Sequence, residues 1–150
     1  MVNGENGSKG MREKKTPMDY TYEADITKVG GDWLITFPAF PGAFGGGRTM
    51  RKACRDASEA LRMAIAQTIS EGKKLPKATF HTPPKAVFCV QVDGTYIDET
   101  GSVSATEAAH MLGVTKGRVS QLVKAGKLDT VLVAGRSRIT LTSINARKVR

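Results

Sequence analysis

The sequence contains few of the residues that build metal sites, disulfide frameworks or membrane spans. Its 150 residues include two cysteines, Cys54 and Cys89, and two histidines, His81 and His110, all far apart along the chain. This spacing excludes the close Cys/His pairs of a zinc site and favours a reduced, cytoplasmic protein without a metal or other cofactor. No apolar run is long enough for a membrane span or a secretory signal, so we expect neither.

Acidic residues are scarce in the last third of the chain. Residues 102–150 contain Glu107 and Asp129 against nine lysines and arginines, a net charge of +7 where the whole chain has +9. A basic excess confined to one segment is typical of a surface that binds a polyanion. We therefore interpret residues 102–150 as a DNA-binding module.

A capping box predicts the start of a first short helix in this module. Ser104 and Glu107 have the S-x-x-E spacing in which each side chain bonds the backbone N–H of the other residue. Gly113 then supplies the left-handed backbone conformation that a tight turn requires. The apolar face of the helix consists of Ala105, Ala108, Ala109 and Leu112.

A second helix is predicted to run from Lys116 to Ala125, with Thr115 as its N-cap and Gly126 at its end. Two short helices joined by a glycine turn form a helix-turn-helix, whose second helix enters the major groove of DNA. Gln121 suits adenine, and Arg118 or Lys116 suits guanine or a phosphate. The alternative is that the cations form only a solvated face. The candidate DNA contacts on this helix are Thr115, Lys116, Arg118, Ser120, Gln121 and Lys124.

A β-hairpin, or wing, is predicted after the second helix. Residues 128–133 and 137–141 have strand-like composition, and residues 134–136 link them. Arg136 and Arg138 are two residues apart, so both project from the same side of the hairpin, where they suit phosphates or a narrow minor groove. Ser143 is predicted to cap a last helix, residues 144–150. The wing thus adds Arg136, Ser137 and Arg138 to the candidate DNA contacts.

Several short stretches of this module match a known pattern. They are Glu107-Ala108-Ala109, Leu112-Gly113-Val114-Thr115, Val119, Leu122-Val123, Gly126-Lys127-Leu128 and Gly135-Arg136-Ser137-Arg138-Ile139. In these stretches the chain resembles the excisionase-type winged helix-turn-helix, a relative of the MerR DNA-binding domain. One such module makes few DNA contacts, so we expect a homodimer or higher homo-oligomer that binds an inverted-repeat operator.

The first part of the chain is predicted to form an antiparallel sheet with one packed helix. Residues 20–27 and 33–37 alternate apolar and polar side chains around a turn at residues 30–32, as two half-buried strands do. Pro38 and Pro41 are predicted to stop the second strand, and residues 43–48 to form a short third strand. Thr49 then caps a long helix that ends at Gly72. After an extended connector, residues 86–92 return to the sheet, so the predicted fold class is α+β with the order βββαβ.

This reading divides the chain into four parts. Residues 1–18 are rich in glycine and charge, and we expect them to be disordered. Residues 19–93 form the domain that binds a protein partner or oligomerises. Residues 94–101 are a linker, and residues 102–150 are the winged helix-turn-helix.

The first domain also matches a known pattern. The matching residues are Phe37-Pro38-Ala39-Phe40-Pro41-Gly42, Gly46-Gly47-Arg48-Thr49, Ala53, Ala57, Glu59-Ala60-Leu61, Gly72 and Leu75-Pro76. In these residues the chain resembles the HicB antitoxin domain. The resemblance implies a partial ribonuclease-H-like fold and a small toxin partner, HicA, which cleaves messenger RNA. Many members of the family add a C-terminal DNA-binding domain and repress their own operon, which we expect of this chain.

Two other functions are alternatives to an antitoxin. One is a DNA-binding regulator of a phage or mobile element, whose first domain only oligomerises. The other is a metal-dependent nuclease, which needs several converging carboxylates. The predicted elements bring no three of the available acids together, so we expect no catalytic residues and no enzyme activity. These acids are Asp25, Asp32, Asp56 and Glu59.

Overall fold

A computed structural model of the protein describes residues 17–148. Most of the tail that we predicted to be disordered, and the last two residues of the predicted final helix, therefore lie outside the described residues. Within them, Met18 is already the first residue of a strand, because it pairs with Val92 of a neighbouring strand. The first domain thus begins before residue 19.

The first unit is a four-stranded antiparallel sheet with a long helix on one face. Its strands are β1 (Met18–Val29), β2 (Asp32–Phe37), β3 (Phe40–Gly47) and β4 (Ala86–Val92), in the spatial order β3-β2-β1-β4. Helix α1 (Met50–Ser70) begins after Thr49, whose hydroxyl accepts a hydrogen bond from the Lys52 N–H. The predicted α+β class, with one helix packed on an antiparallel sheet, is confirmed.

The core of this unit lies between α1 and the sheet. Leu61 and Ile65 of the helix are fully buried against Ile35 and Phe37 of β2. Burying a side chain of this size contributes about 1.5–3 kcal/mol. Helix and sheet approach most closely at Gly45, where a Cβ atom would overlap the backbone of Ala57. Glycine at residue 45 is therefore a condition for this packing.

One of the two predicted strand stops is wrong. Pro38 does follow the end of β2, but Pro41 lies inside β3. β3 is an edge strand of the sheet. Proline is tolerated there because its missing N–H costs no ladder hydrogen bond on the open side.

The connector of residues 73–85 has no helix or strand, as predicted, and β1 fixes it in place. Tyr22 Oη donates to the Pro76 carbonyl at 2.6 Å. Glu23 accepts hydrogen bonds from the backbone N–H groups of His81 and Lys85, and its Oε1 lies 2.6 Å from His81 Nδ1. These contacts leave Glu23 only 8% exposed, although the strand pattern assigned it to the polar face.

Residues 94–101, predicted to be a linker, contain helix α2 (Gly94–Thr100). Asp93 caps it by accepting from the Tyr96 N–H at 2.8 Å, and Tyr96 and Ile97 pack against the first core. This packing explains why so short a helix forms, since isolated helices of this length are unstable in water. Two partners on α1, Glu59 and Arg62, hold the Tyr96 ring: Tyr96 Oη donates to Glu59 at 2.6 Å, and the Arg62 guanidinium lies 3.9 Å from the ring centre.

The second unit begins directly after α2. It consists of β5 (Ser102–Val103), α3 (Ala105–Leu112), α4 (Lys116–Lys124), β6 (Thr130–Val133), β7 (Arg136–Thr140) and α5 (Leu141–Lys148). The strands form an antiparallel sheet in the order β5-β7-β6. The helices cover a small core of Ala108, Ala109, Val119, Leu122, Leu128, Ile139 and Ile144.

The predicted helix boundaries of this unit agree closely with the structure. The Ser104 hydroxyl accepts from the Glu107 N–H at 3.1 Å, and Glu107 Oε1 accepts from the Ser104 N–H at 2.9 Å. These bonds hold the pKa of Glu107 below its usual value. Gly113 and Gly126 have positive φ angles of 68° and 74°, as their predicted turns require.

The last helix begins three residues earlier than predicted. Its first-turn cap is Thr140, whose Oγ1 lies 3.3 Å from the Ser143 N–H that donates to it. The Ser143 hydroxyl instead accepts from the Asp129 N–H at 3.1 Å. Ser143 therefore fastens the segment before β6 to α5.

Over residues 17–148, no helix combines the length and apolar character that a membrane crossing requires.

Candidate nucleic-acid interface

Helix α4 carries six of the predicted contact residues on or next to its exposed side. Val119 and Leu122 are buried in the second core and fix the helix's rotation. All six predicted contacts are solvent-exposed: Thr115, Lys116, Arg118, Ser120, Gln121 and Lys124. The structure therefore brings them onto one continuous surface.

The N-terminus of α4 is suited to an anion. Thr115 Oγ1 accepts from the Arg118 N–H at 3.1 Å, so this residue is occupied as the N-cap. The first turn of α4 contains no acidic residue. The positive end of the helix dipole and Lys116 therefore act in the same direction on a nearby phosphate.

Two predicted base-reading side chains are already in contact. Arg118 Nη1 donates to Gln121 Oε1 at 3.1 Å, and both residues are exposed. The bond turns the oxygen of the Gln121 amide toward Arg118 and leaves the amide NH₂ group as a donor. Since an exposed hydrogen bond contributes little net free energy, it can be exchanged for bonds to base edges.

Strands β6 and β7 form the hairpin that we predicted as a wing. Its two-residue turn, Ala134-Gly135, has φ angles of 52° and 77°, the positive values that type I′ hairpin turns require. Arg136 follows the turn directly, and Arg136 and Ser137 are both exposed. The turn therefore presents Arg136 at the tip of the wing.

Arg138 has a different environment from Arg136. Its Nε donates to the Ser102 hydroxyl at 2.9 Å, and its Nη2 donates to the Ser102 carbonyl at 2.7 Å. These partly buried bonds attach β7 to β5. The guanidinium that we predicted as a phosphate contact is thus engaged within the unit, and only Arg136 of the pair is open to solvent.

Sequence reasoning missed two residues that shape the wing. Leu132, on the strand opposite Ser137, is 71% exposed, which is unusual for a leucine. Ser102 is the buried anchor of Arg138. The sequence pattern placed Leu132 in a strand without indicating that its side chain would be exposed. Nothing in the residues around Ser102 indicated a partner 36 positions away.

Four cations of the candidate interface form no ion pair in the part of the chain that the structure describes. Within residues 17–148, no salt bridge involves Lys116, Arg118, Lys124 or Arg136. Among these residues, the positive charge of this surface can therefore act on a ligand.

Three of the four acids considered for a nuclease each have a different partner in the structure. Asp25 pairs with Lys85 at 3.1 Å, Asp56 lies 3.3 Å from the Gly46 N–H, and Glu59 accepts from Tyr96. The part of the chain that the structure describes contains no group of three or more His, Cys, Asp or Glu side chains placed to hold a metal ion.

The chain matches no protein-family model, and no curated protein is significantly similar to it.

Proposed function

We propose that this protein is a cytoplasmic DNA-binding repressor and the antitoxin of a HicA/HicB-type toxin–antitoxin pair. Its C-terminal unit binds an operator as a winged helix-turn-helix. Its N-terminal unit binds and neutralises an mRNA-cleaving toxin.

One observation carries the DNA-binding part of the proposal. The exposed side of α4 presents Lys116, Arg118 and Lys124, which form no salt bridge within residues 17–148, and the β6–β7 hairpin of the same unit has the exposed Arg136 at its tip. A helix of this length fits the major groove, and a neighbouring hairpin reaches the adjacent backbone or minor groove. Arg118 and Gln121 are the base readers, and Lys116, Lys124 and Arg136 contact phosphates.

A salt titration tests this assignment. The full-length protein is titrated with a labelled fragment of the DNA upstream of its own gene at several salt concentrations. Lys124→Ala should weaken binding to every sequence and reduce the slope of log K against log salt by about one. Lys77→Ala removes the same charge from the exposed connector and is the matched control. An unchanged slope in Lys124→Ala would contradict the proposed binding face.

The antitoxin part rests on the resemblance of residues 20–92 to HicB, and the antiparallel sheet with one packed helix is compatible with it. The test is expression of the small reading frame adjacent to this gene, alone and together with this protein. Growth arrest that this protein relieves, with a stoichiometric complex after nuclease treatment, supports the antitoxin. A neighbouring integrase gene, and a protein that shifts DNA without a partner, would favour the alternative regulator of a mobile element.

A further inference from the structure

Within residues 17–148, the outer edge of β4 has no neighbouring strand, although the Arg62 side chain donates to one carbonyl on it, that of Gln91. Its seven residues, Ala86–Val92, contain no charge, no proline and no glycine. β4 ends the sheet, and within residues 17–148 no strand lies beyond it. The opposite edge, β3, is instead interrupted by Pro41 and four glycines. Natural proteins rarely leave a long, uncharged edge open, because it pairs readily with another strand.

The backbone groups on this open edge can be assigned. In an antiparallel ladder, alternate residues point their N–H and C=O groups toward the same neighbour. Arg62 Nε donates to the Gln91 carbonyl at 2.7 Å, a bond from outside the β1–β4 ladder. Gln91 therefore points outward, and with it Cys89 and Val87. Their side chains are exposed on the sheet face opposite α1, with Val87 at 45%.

We propose that β4 pairs antiparallel with β4 of a second copy of this chain, so that two sheets join across a two-fold axis at Cys89. In this register Cys89 lies opposite the second copy's Cys89, and Val87 lies opposite its Gln91. The outward N–H and C=O groups of these residues then bond each other in the manner of a sheet ladder, and the Gln91 carbonyl, which already accepts from Arg62 Nε, uses its second lone pair for the N–H of the second copy's Val87.

Charge at the two ends of the strand selects this register. Lys85 precedes β4 and Asp93 follows it, and centring the pair on Cys89 sets Lys85 of each copy opposite Asp93 of the other. The Lys85 side chain is half exposed beside its ion pair with Asp25, so its ammonium can also face Asp93 of the second copy, and the cap bond of Asp93 uses only Oδ1. A shift of the register by two residues would place Asp93 opposite an apolar side chain or leave it unpaired. The uncharged centre and the complementary ends make the edge self-complementary.

The association is tested on the full chain without DNA, so that its failure leaves the proposed DNA binding untouched. Analytical ultracentrifugation should show a dimer that dissociates on dilution. Cys89→Lys places like charges opposite each other on the axis and should raise the dimer dissociation constant about tenfold or more. Thr27→Lys adds the same charge to the same sheet, away from this edge, and should leave the dimer intact.

Two further results separate a β4 pair from any other dimer. Cys89→Glu should also be monomeric, and mixing it with Cys89→Lys should restore a heterodimer, because opposite charges then face each other. Mild oxidation with copper phenanthroline should cross-link Cys54→Ser but not Cys89→Ser. Circular dichroism and thermal unfolding verify that each variant is folded.

The proposal is overturned if the wild-type chain is monomeric over the accessible concentration range. It is also overturned if Cys89→Lys and Cys89→Glu dimerise like the wild type, or if Cys89→Ser still forms the cross-link.

Discussion

Arg138 and Ser102 are joined by two hydrogen bonds, from Nε to the hydroxyl and from Nη2 to the carbonyl oxygen. Ser102 lies at the start of the second unit, and Arg138 lies in the middle strand of its sheet. The pair therefore fixes the wing relative to the segment that leads into α3. A side chain that the sequence assigns to DNA is, in the structure, part of the frame that positions the contacts.

The two wing arginines should consequently respond differently to substitution. Arg136→Ala should lower the salt slope of DNA binding by about one and leave stability unchanged. Arg138→Ala should lower the free energy of unfolding by about 1–3 kcal/mol, because it removes a charged donor from the partly buried Ser102 hydroxyl and carbonyl oxygens. Chemical denaturation and salt-dependent DNA binding of both variants provide the comparison. Equal stability of the two variants would refute the structural role of Arg138.

Gln121 should determine preference for a base rather than overall affinity. Gln121→Ala should lose about 1–3 kcal/mol of discrimination at one operator position and keep the salt slope of the wild type. The measurement is binding to a set of operators that differ by single base pairs. Thr106→Ala, at an exposed residue of α3 outside the candidate contacts, is the control and should retain the preference. A uniform loss across all operators would instead assign Gln121 to the backbone.

Gly45 should tolerate no side chain. Gly45→Ala would force its Cβ into the backbone of Ala57, and overpacking at a close helix–sheet contact costs about 1–3 kcal/mol or more. Gly42→Ala, in the same strand, meets open space and should change the melting temperature little. Thermal unfolding of the two variants makes the comparison, and similar melting temperatures would show that α1 can move away from β3.

The Glu23 carboxylate should make the free energy of unfolding depend on pH in the acid range. Its hydrogen bond with His81, followed by the bond from the Lys85 N–H, holds the pKa of Glu23 below its ordinary value. A lowered folded-state pKa stabilises the protein above the unfolded-state pKa of about 4.3, and this contribution is lost as the pH falls through the folded value.

Glu23→Gln should therefore be less stable than the wild type at neutral pH, and the difference should shrink as the pH falls below about 4.3. Urea denaturation of both proteins at a series of pH values measures this difference in the free energy of unfolding. Asp25→Asn, on the same strand face but more exposed, should show a smaller effect. A difference that stays constant with pH would show that the carboxylate's charge does not hold the connector.

Ala134 is the only non-glycine residue with positive φ within residues 17–148, at 52°. Alanine in this conformation is strained by about 1–2 kcal/mol, so Ala134→Gly should raise the stability of the second unit. Ala125→Gly, at a residue with φ of −81°, should lower it instead. Differential scanning calorimetry on both variants gives the sign of each change. Destabilisation by Ala134→Gly would mean that the turn adopts another conformation in solution.

The parts of the fold that could be predicted are those with local signals. The capping box at Ser104, the turn at Gly113 and the cap at Thr115 each depend on residues within four positions of one another. The alternation in β1 is equally local, and it places Tyr22 and Ala24 correctly on the buried face.

The parts that could not be predicted depend on contacts distant in sequence. Helix α2 exists because Tyr96 packs against α1, and residues 94–100 alone have the composition of a linker. The burial of Glu23 follows from a connector that returns 58 residues later. The role of Arg138 required knowing where Ser102 lies. In each case the pattern of neighbouring residues contained no information about the partner.

Helix α2 also determines where the first unit of this chain could be joined to a different second unit. Tyr96 belongs to the packing of α1, and burial together with the Glu59 hydrogen bond raises its pKa to about 12. The second unit already holds Gly101, whose carbonyl oxygen accepts from the Leu141 N–H at 2.8 Å. A graft that exchanged the second unit at residue 94 would remove Tyr96 from its packing against α1. The junction that keeps α2 with α1 falls between Thr100 and Gly101, so evolution or a protein engineer would have to carry α2 with the first unit.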